Sequence, residues 1–293
     1  MNKLEKAILK TIAFFDLSQK PLSLDEIWHF LYRTRASRIQ VLIALENLEK
    51  NGQICKKNSQ YFLPGRQSIL NSVKRDDLEE VSWKKVSRYA KLFEYLPFLQ
   101  NVSVTGSLAA GNLRENSDIN LLIITRKNRK WLAKTLLTML LEAFGQNKNR
   151  WYRAGKFSID FVLEDGDLDL AKLHFKKDTY AAYWLANLAP MIDRGGYKKL
   201  IAQNDWIFKE FPNWQPKEIE SFSSKYTPLE KFISSDRGRS LIEFGKKIRI
   251  KKLYDYLKNK THEAEEALLK TRANVKRKEF QQKWQKTFPR SIK

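Results

Sequence analysis

Cysteine occurs once, at Cys55, in 293 residues. That scarcity excludes a disulfide framework and a thiolate zinc cluster. Histidine is almost as rare: His29, His174 and His262 lie far apart, and none stands in a metal-ligand spacing. Long hydrophobic runs are missing too. The longest apolar-looking stretch, WLAKTLLTMLLEAF, carries Lys134 and Glu142 and is too short to span a bilayer. The N-terminal segment is amphipathic and charged throughout, so it is expected not to be a signal peptide. A soluble, cytoplasmic protein with no membrane partner is the expectation. Neither a Walker-type phosphate loop nor a dinucleotide glycine fingerprint is present. Acidic residues are in deficit: 33 Asp and Glu against 55 Lys and Arg leave a net charge of +22. Such a surplus suits an anionic partner, either nucleic acid or a phosphate-rich substrate, and equally a solvated basic surface. What the chain does have is a globular composition, 42% hydrophobic and 12% aromatic. It can therefore bury a sizeable core, in one large domain or a few small ones.

Three regions follow from the patterning. In residues 1–70, Leu4, Ile8, Ile12 and Phe15 recur at helical spacing. Ser23 stands before LDEIWHFLY and Ser37 before RIQVLIALENLEK, both as N-caps, and Asn51-Gly52 stops the last helix. QICKKNSQYFLP then reads as two short strands around a turn. Three helices followed by a two-stranded wing resemble the winged helix-turn-helix family. The resemblance implies that the third helix enters a DNA major groove while the wing touches phosphate. Arg33, Arg35 and Arg38, near the start of that helix, and Lys56 and Lys57 on the wing are the implied nucleic-acid contacts. Glu46 and Glu49 on its later turns argue the other way, and such modules also bind proteins.

Residues 83–197 alternate helices and strands. VSRYAKLFEYLPFL and KWLAKTLLTMLLEAF are helical, whereas NVSVTGS, INLLIIT and KFSIDFVLE are strands. That order predicts an α/β unit, a mixed sheet with helices packed against it. Residues 198–293 are expected to be mainly helical and basic. Their last stretch, Lys246 to Lys293, holds sixteen Lys and Arg against five Asp and Glu. It can be a solvated face or one wall of a channel for a polyanion.

The densest chemistry lies in TGSLAAGNLRENSDINLLIIT, Thr105 to Thr125. Gly106 permits a tight turn after a strand, and exposed amides beside the Ser107 hydroxyl can hold phosphate oxygens. Asp118-Ile119-Asn120 opens the next strand, where side chains alternate faces. Asp118, Asn120 and Leu122 should share one face, with Ile119, Leu121 and Ile123 directed into the core. On KFSIDFVLE, Phe157, Ile159, Phe161 and Leu163 should share a face, with Asp160 opposite between Ser158 and Val162. If these strands are neighbours, Asp160 approaches Asp118 and Asn120.

This layout resembles the polymerase-β-type nucleotidyltransferase superfamily, in its bacterial form. The resemblance rests on Gly106, Ser107, Gly111, Ser117 and Asp118, and continues into TYAAYWLANLAPMIDRGGYKKLIAQNDWIFKEFPN. It implies a mixed-sheet nucleotidyltransferase fold, flanked here by the winged helix and the helical C-terminal region. It implies metal-dependent transfer of a nucleoside monophosphate from a nucleoside triphosphate to a hydroxyl acceptor. Gly106, Ser107 and Ser117 would bind the nucleotide. Asp118, Asn120 and Asp160 would be catalytic and would ligate Mg²⁺ or Mn²⁺. Asn120 departs from the family, which has a carboxylate there. Losing a unit charge about 4 Å from a cation in a partly screened site forgoes on the order of 4 kcal/mol of attraction. The alternative is an inactive protein of this fold that binds DNA or RNA or senses a nucleotide. The acidic run Glu164 to Asp169 lacks the spacing of a calcium loop and is expected to be a surface turn. Trp206, Trp214 and Tyr226 can stack bases or fill a core.

Overall fold

Three short polar side chains set where the N-terminal helices begin. Asn2, Ser23 and Ser37 each accept the N–H three residues on, and Glu5, Glu26 and Gln40 return a bond to the cap. These capping boxes open α1 (Lys3–Asp16), α2 (Leu24–His29) and α3 (Arg38–Lys50). The last helix stops before Gly52, which takes φ +67, as the Asn-Gly signal requires. In the computed structural model, residues 1–70, 73–148, 152–173, 179–219, 231–233, 235 and 282–284 are described.

A hairpin of β2 (Cys55–Lys57) and β3 (Gln60–Phe62) follows α3, and β1 (Leu22–Ser23) adds to it antiparallel in the order β1-β3-β2. The hairpin turns at Asn58 and Ser59, whose φ angles of 51 and 59 match the twist of the flanking strands. Helix α2 ends earlier than LDEIWHFLY suggests. The chain turns instead through Arg33, whose φ is +49 and whose N–H donates to the Glu210 carbonyl at 2.7 Å.

The rest of the described chain runs α4 (Val73–Phe93), β4 (Leu99–Thr105), α5 (Gly106–Ala109), β5 (Ile119–Thr125), α6 (Lys130–Ala143), β6 (Phe157–Glu164), α7 (Thr179–Ala186), β7 (Ala189–Asp193), α8 (Gly196–Gln203) and α9 (Ile207–Glu210). Its four-stranded sheet has the order β6-β5-β4-β7. Strands β5 and β6 are parallel, and the other two pairings are antiparallel, so the protein is mixed α/β, as expected. Strand β7 escapes the sequence reading because APMID is short and contains Pro190. At a sheet edge that proline forfeits no ladder bond.

One expectation about faces needs extending and one needs correction. The core is not confined to the face carrying Ile119, Leu121 and Ile123. Leu122 and Ile124 are fully buried, packed with α7, α8 and the N-terminal module, while Ile119, Leu121 and Ile123 face a second core with α4 and α6. The sheet is therefore covered on both sides. Nor do Phe157, Ile159, Phe161 and Leu163 share a face. Leu121 pairs with Ile159 and Leu122 with Phe161, which leaves Asp160 as an extra residue in a bulge. Beyond it the alternation reverses: Val162 joins Phe157 in the α4–α6 core, and Phe161 and Leu163 pack on the other side.

The N-terminal module shares a continuous core with the sheet. Tyr183 on α7 stacks on Phe14 with centroids 3.7 Å apart, and meets Phe15 at 4.8 Å and Phe211 at 4.4 Å. Each such ring pair adds about 0.5–1.5 kcal/mol beyond its buried area. Trp284 also joins this core, packing on Phe14 and Tyr32 and donating to the Lys10 carbonyl at 3.0 Å. Apart from 282–284, the basic stretch from Lys246 lies outside the described residues, as does Tyr226. No helix among the described residues is long and apolar enough to cross a membrane.

Candidate functional site at the Gly-Ser turn and the Asp-Ile-Asn strand

Strand pairing brings the two halves of the motif together. Thr105, the last residue of β4, lies opposite Asn120 on β5, so the turn at Gly106 falls beside the Asn120 side chain. Gly106 takes φ +70, and a Cβ built there would stand 3.0 Å from Asn120 Nδ2. Glycine is thus required twice over, by its dihedral and by the close approach. Ser107 is half-buried, and its hydroxyl makes no hydrogen bond among the described residues.

The N-terminal module and α4 brace the loop between turn and strand. Lys20 Nζ donates to the Ala110 carbonyl at 2.5 Å and pairs with Glu26 at 2.7 Å. Asn112 Nδ2 donates to the Ser18 carbonyl at 2.6 Å, and Glu79 accepts the Leu113 N–H at 3.2 Å. Gly111, with φ +63, passes within 3.0 Å of the Lys20 ammonium at its built Cβ position. Ser117 closes the turn before Asp118: its Oγ accepts the Arg114 N–H at 3.1 Å, leaving its own O–H free to donate.

Parallel pairing of β5 with β6 places Asn120 beside Ser158, and the bulge projects Asp160 two positions on. The Ser158 hydroxyl donates to Asp160 Oδ1 at 2.8 Å. Asp160 reaches solvent at the rim, yet the protein crowding around it raises its pKa. The Ser158 bond, Lys148 and Arg153 oppose that shift, while the negative Asp118 adds to it. Asp118 forms an ion pair with Lys148, with side chains 18% and 25% exposed. Asn120 Oδ1 is buried and accepts no hydrogen bond among the described residues. A buried amide oxygen without a donor is a vacant acceptor aimed at its surroundings. Among the described residues no three His, Cys, Asp or Glu side chains form a metal-holding group, because the set here has two carboxylates and one amide. Its oxygens are all hard donors of the kind Mg²⁺ and Mn²⁺ accept.

The five cations expected to contact nucleic acid differ in their partners. Arg33 is held by the Glu210 carboxylate, its Nε 3.0 Å from Oε2, and Arg38 by Asp25 at 2.6 Å. Lys56 lies over the Tyr61 ring at 5.4 Å. Arg35 lines a cleft with Trp28, Pro212 and Trp214, and Lys57 is exposed on β2. The outer face of α3 presents Ile39 and Ile43, 70% and 54% exposed, with Glu46 and Glu49. Trp214 is buried core and Trp206 is partly buried against it.

Sequence reasoning missed Lys148, Ser158 and Lys20. Lys148 stands in the polar run QNKNR with nothing to mark it, and Lys20 precedes a proline in a linker. Ser158 alone carried a signal, lying two residues before Asp160 on a strand. Set against family models, curated proteins and solved structures, the chain matches none. What fold and site define is thus a mixed α/β protein with a two-aspartate, one-asparagine cluster at a glycine turn.

Proposed function

We propose that this cluster is a nucleotidyltransferase-type site that transfers a nucleoside monophosphate from a nucleoside triphosphate to a hydroxyl acceptor. The observation that carries the reading is the Gly106–Asn120 contact. The turn that would bind phosphate and the strand that would bind the cation meet within 3.0 Å of one built atom. Asp118, Asn120 and Asp160 would hold Mg²⁺ or Mn²⁺. The vacant Asn120 acceptor and the hard oxygen set fit that ion. Bound there, the ion would offset phosphate charge.

The chain's own groups would do the rest. The Gly106 amide and the Ser107 hydroxyl would orient the phosphates. Asp160 would also help to take the acceptor's proton. The acceptor oxygen bonds to the α-phosphorus as the bond to pyrophosphate breaks, and pyrophosphate leaves. Asn120 in place of a carboxylate predicts slow turnover. Full-length protein given labelled triphosphates with Mg²⁺ or Mn²⁺ should transfer label or release pyrophosphate. Asn120→Asp should match or exceed that rate, and Asp118→Ala should abolish it. Inert wild type and inert Asn120→Asp across all triphosphates would reject the enzyme.

A second reading, nucleic-acid binding through a winged-helix N-terminal module, draws on Arg35 and Lys57. Both are exposed and carry no carboxylate partner among the described residues. Duplex binding that weakens as salt rises and drops in Arg35→Ala/Lys57→Ala supports it; unchanged binding in that variant opposes it.

A further inference from the structure

The aspartate cluster carries a cation of its own. Lys148 is fixed at the backbone, where its N–H donates to the Phe157 carbonyl at 2.8 Å, beside the bridge between Asn147 and Phe157. Phe157 pairs in turn with Ile119, the neighbour of Asp118. This lysine is therefore not on a loose surface arm. Its main chain is tied to the first residue of β6, and its side chain is only 25% exposed when it reaches Asp118 Oδ2. The same ammonium also acts on Asp160.

The ammonium pairs with Asp118 Oδ2 by charge rather than through a well-aligned hydrogen bond. It competes with a ligated ion for that carboxylate, because two cations held at one carboxylate repel each other at short range. Charge points the same way. Asp118 and Asp160 face Lys148 and Arg153, so the chain nearly balances its own site before any ligand arrives. A bare divalent ion would enter against a resident positive charge. A triphosphate carries more negative charge than one divalent ion cancels, so its metal complex arrives as an anion and gives the lysine a new partner.

We infer that Lys148 is the resident counter-cation of this site, competing with divalent ions for Asp118, so that the site takes the anionic metal–triphosphate complex in preference to the free ion. This rests on the nucleotide reading above and deepens it by assigning Lys148 as the residue that makes metal loading depend on phosphate. Lys148 moves from Asp118 to a phosphate oxygen as the complex binds.

The test needs no turnover. Mn²⁺ alone is titrated into the full-length chain and the free ion is followed by electron paramagnetic resonance. Wild type, Lys148→Met and Asp118→Ala/Lys148→Met are compared. Methionine keeps the apolar stem, and the double variant leaves no lone charge behind, so all three should fold; matching melting transitions verify this, and Lys148→Gln repeats the single variant. Mn²⁺ should bind Lys148→Met at least tenfold more tightly than wild type, and the gain should vanish in the double variant. Equal affinity in wild type and both Lys148 variants, no binding in any of them, or a gain that survives the loss of Asp118 overturns the inference. Failure of the nucleotide reading looks different: the Mn²⁺ contrast stays, but adding a triphosphate does not strengthen metal binding in wild type.

Discussion

On the four-stranded sheet, Asp118 and Asn120 at the start of β5 and Asp160 in the bulge of β6 lie along one pair of adjacent strands. On the N-terminal module, Arg33 and Arg38 instead pair with Glu210 and Asp25. The first group is placed by the backbone. A glycine dihedral, a strand register and a bulge leave those short side chains little choice of direction. The second group is placed by the side chains themselves, and a long, flexible cation settles on the nearest carboxylate. Short polar residues at a backbone irregularity are thus held by the main chain, whereas arginines in a row depend on whichever carboxylates lie near. The first group also retains an unfilled acceptor, Asn120 Oδ1.

Breaking the backbone that aims the first group should have the largest effect. Gly106→Ala puts a side chain at φ +70 and 3.0 Å from Asn120 Nδ2, so denaturant unfolding should show a loss of about 1–3 kcal/mol. Triphosphate binding should weaken with it, and an unchanged midpoint would mean the turn is not under this constraint. Next comes the brace. Lys20→Met leaves the Ala110 carbonyl and Glu26 without their cation, which should lower stability by about 1–2 kcal/mol. Proteolysis should then cut more readily between Ala110 and Ser117. Smaller again is Arg33→Ala: with the arginine 40% exposed, solvent screening limits the loss to roughly 1 kcal/mol or less, and Arg38→Ala should fall below that. Neither should change duplex affinity as much as Arg35→Ala/Lys57→Ala does. A larger effect from Arg33→Ala would mean its pairing with Glu210 gives way to a ligand.

The smallest effect concerns His29, whose pKa lies below its ordinary 6.5 because it is buried and, secondarily, because Lys217 is near. Its neutral form suits the fold, so its contribution is intact above pH 6.5 and is lost as the pH falls from there through the lowered folded value. His29→Gln should flatten the decline in melting temperature over that range. An identical decline in the variant would assign it to other groups.

Much of this was legible in the sequence, for reasons that differ by residue. The capped helices α1, α2 and α3 were readable because Ser23, Ser37 and Asn51-Gly52 act on their own neighbours. The nearness of the Gly106 turn to Asn120 followed only from the resemblance, which gives the turn the phosphates and the strand the metal; in the fold it comes from the pairing of β4 with β5. The faces of β6 were not readable. A bulge at Asp160 arises from pairing with β5, and no residue type in FSIDFVLE announces it. Burial of Leu122 depended on the N-terminal module folding back over the sheet through Tyr183 and Phe14, a contact 169 residues apart along the chain. Lys148 was invisible for the same reason, since only the Asn147–Phe157 bridge brings it to Asp118.

The account stands on Asp118, Asn120 and Asp160 binding a metal and a triphosphate, and thermal unfolding with single triphosphates, with and without Mg²⁺, tests this most directly. Ligand at a hundredfold its Kd adds about 2.7 kcal/mol to the folded state. The prediction is a rise in Tm that needs triphosphate and Mg²⁺ together and is absent in Asp118→Ala. A rise of equal size without the metal, the same rise in Asp118→Ala, or none with any triphosphate would contradict it.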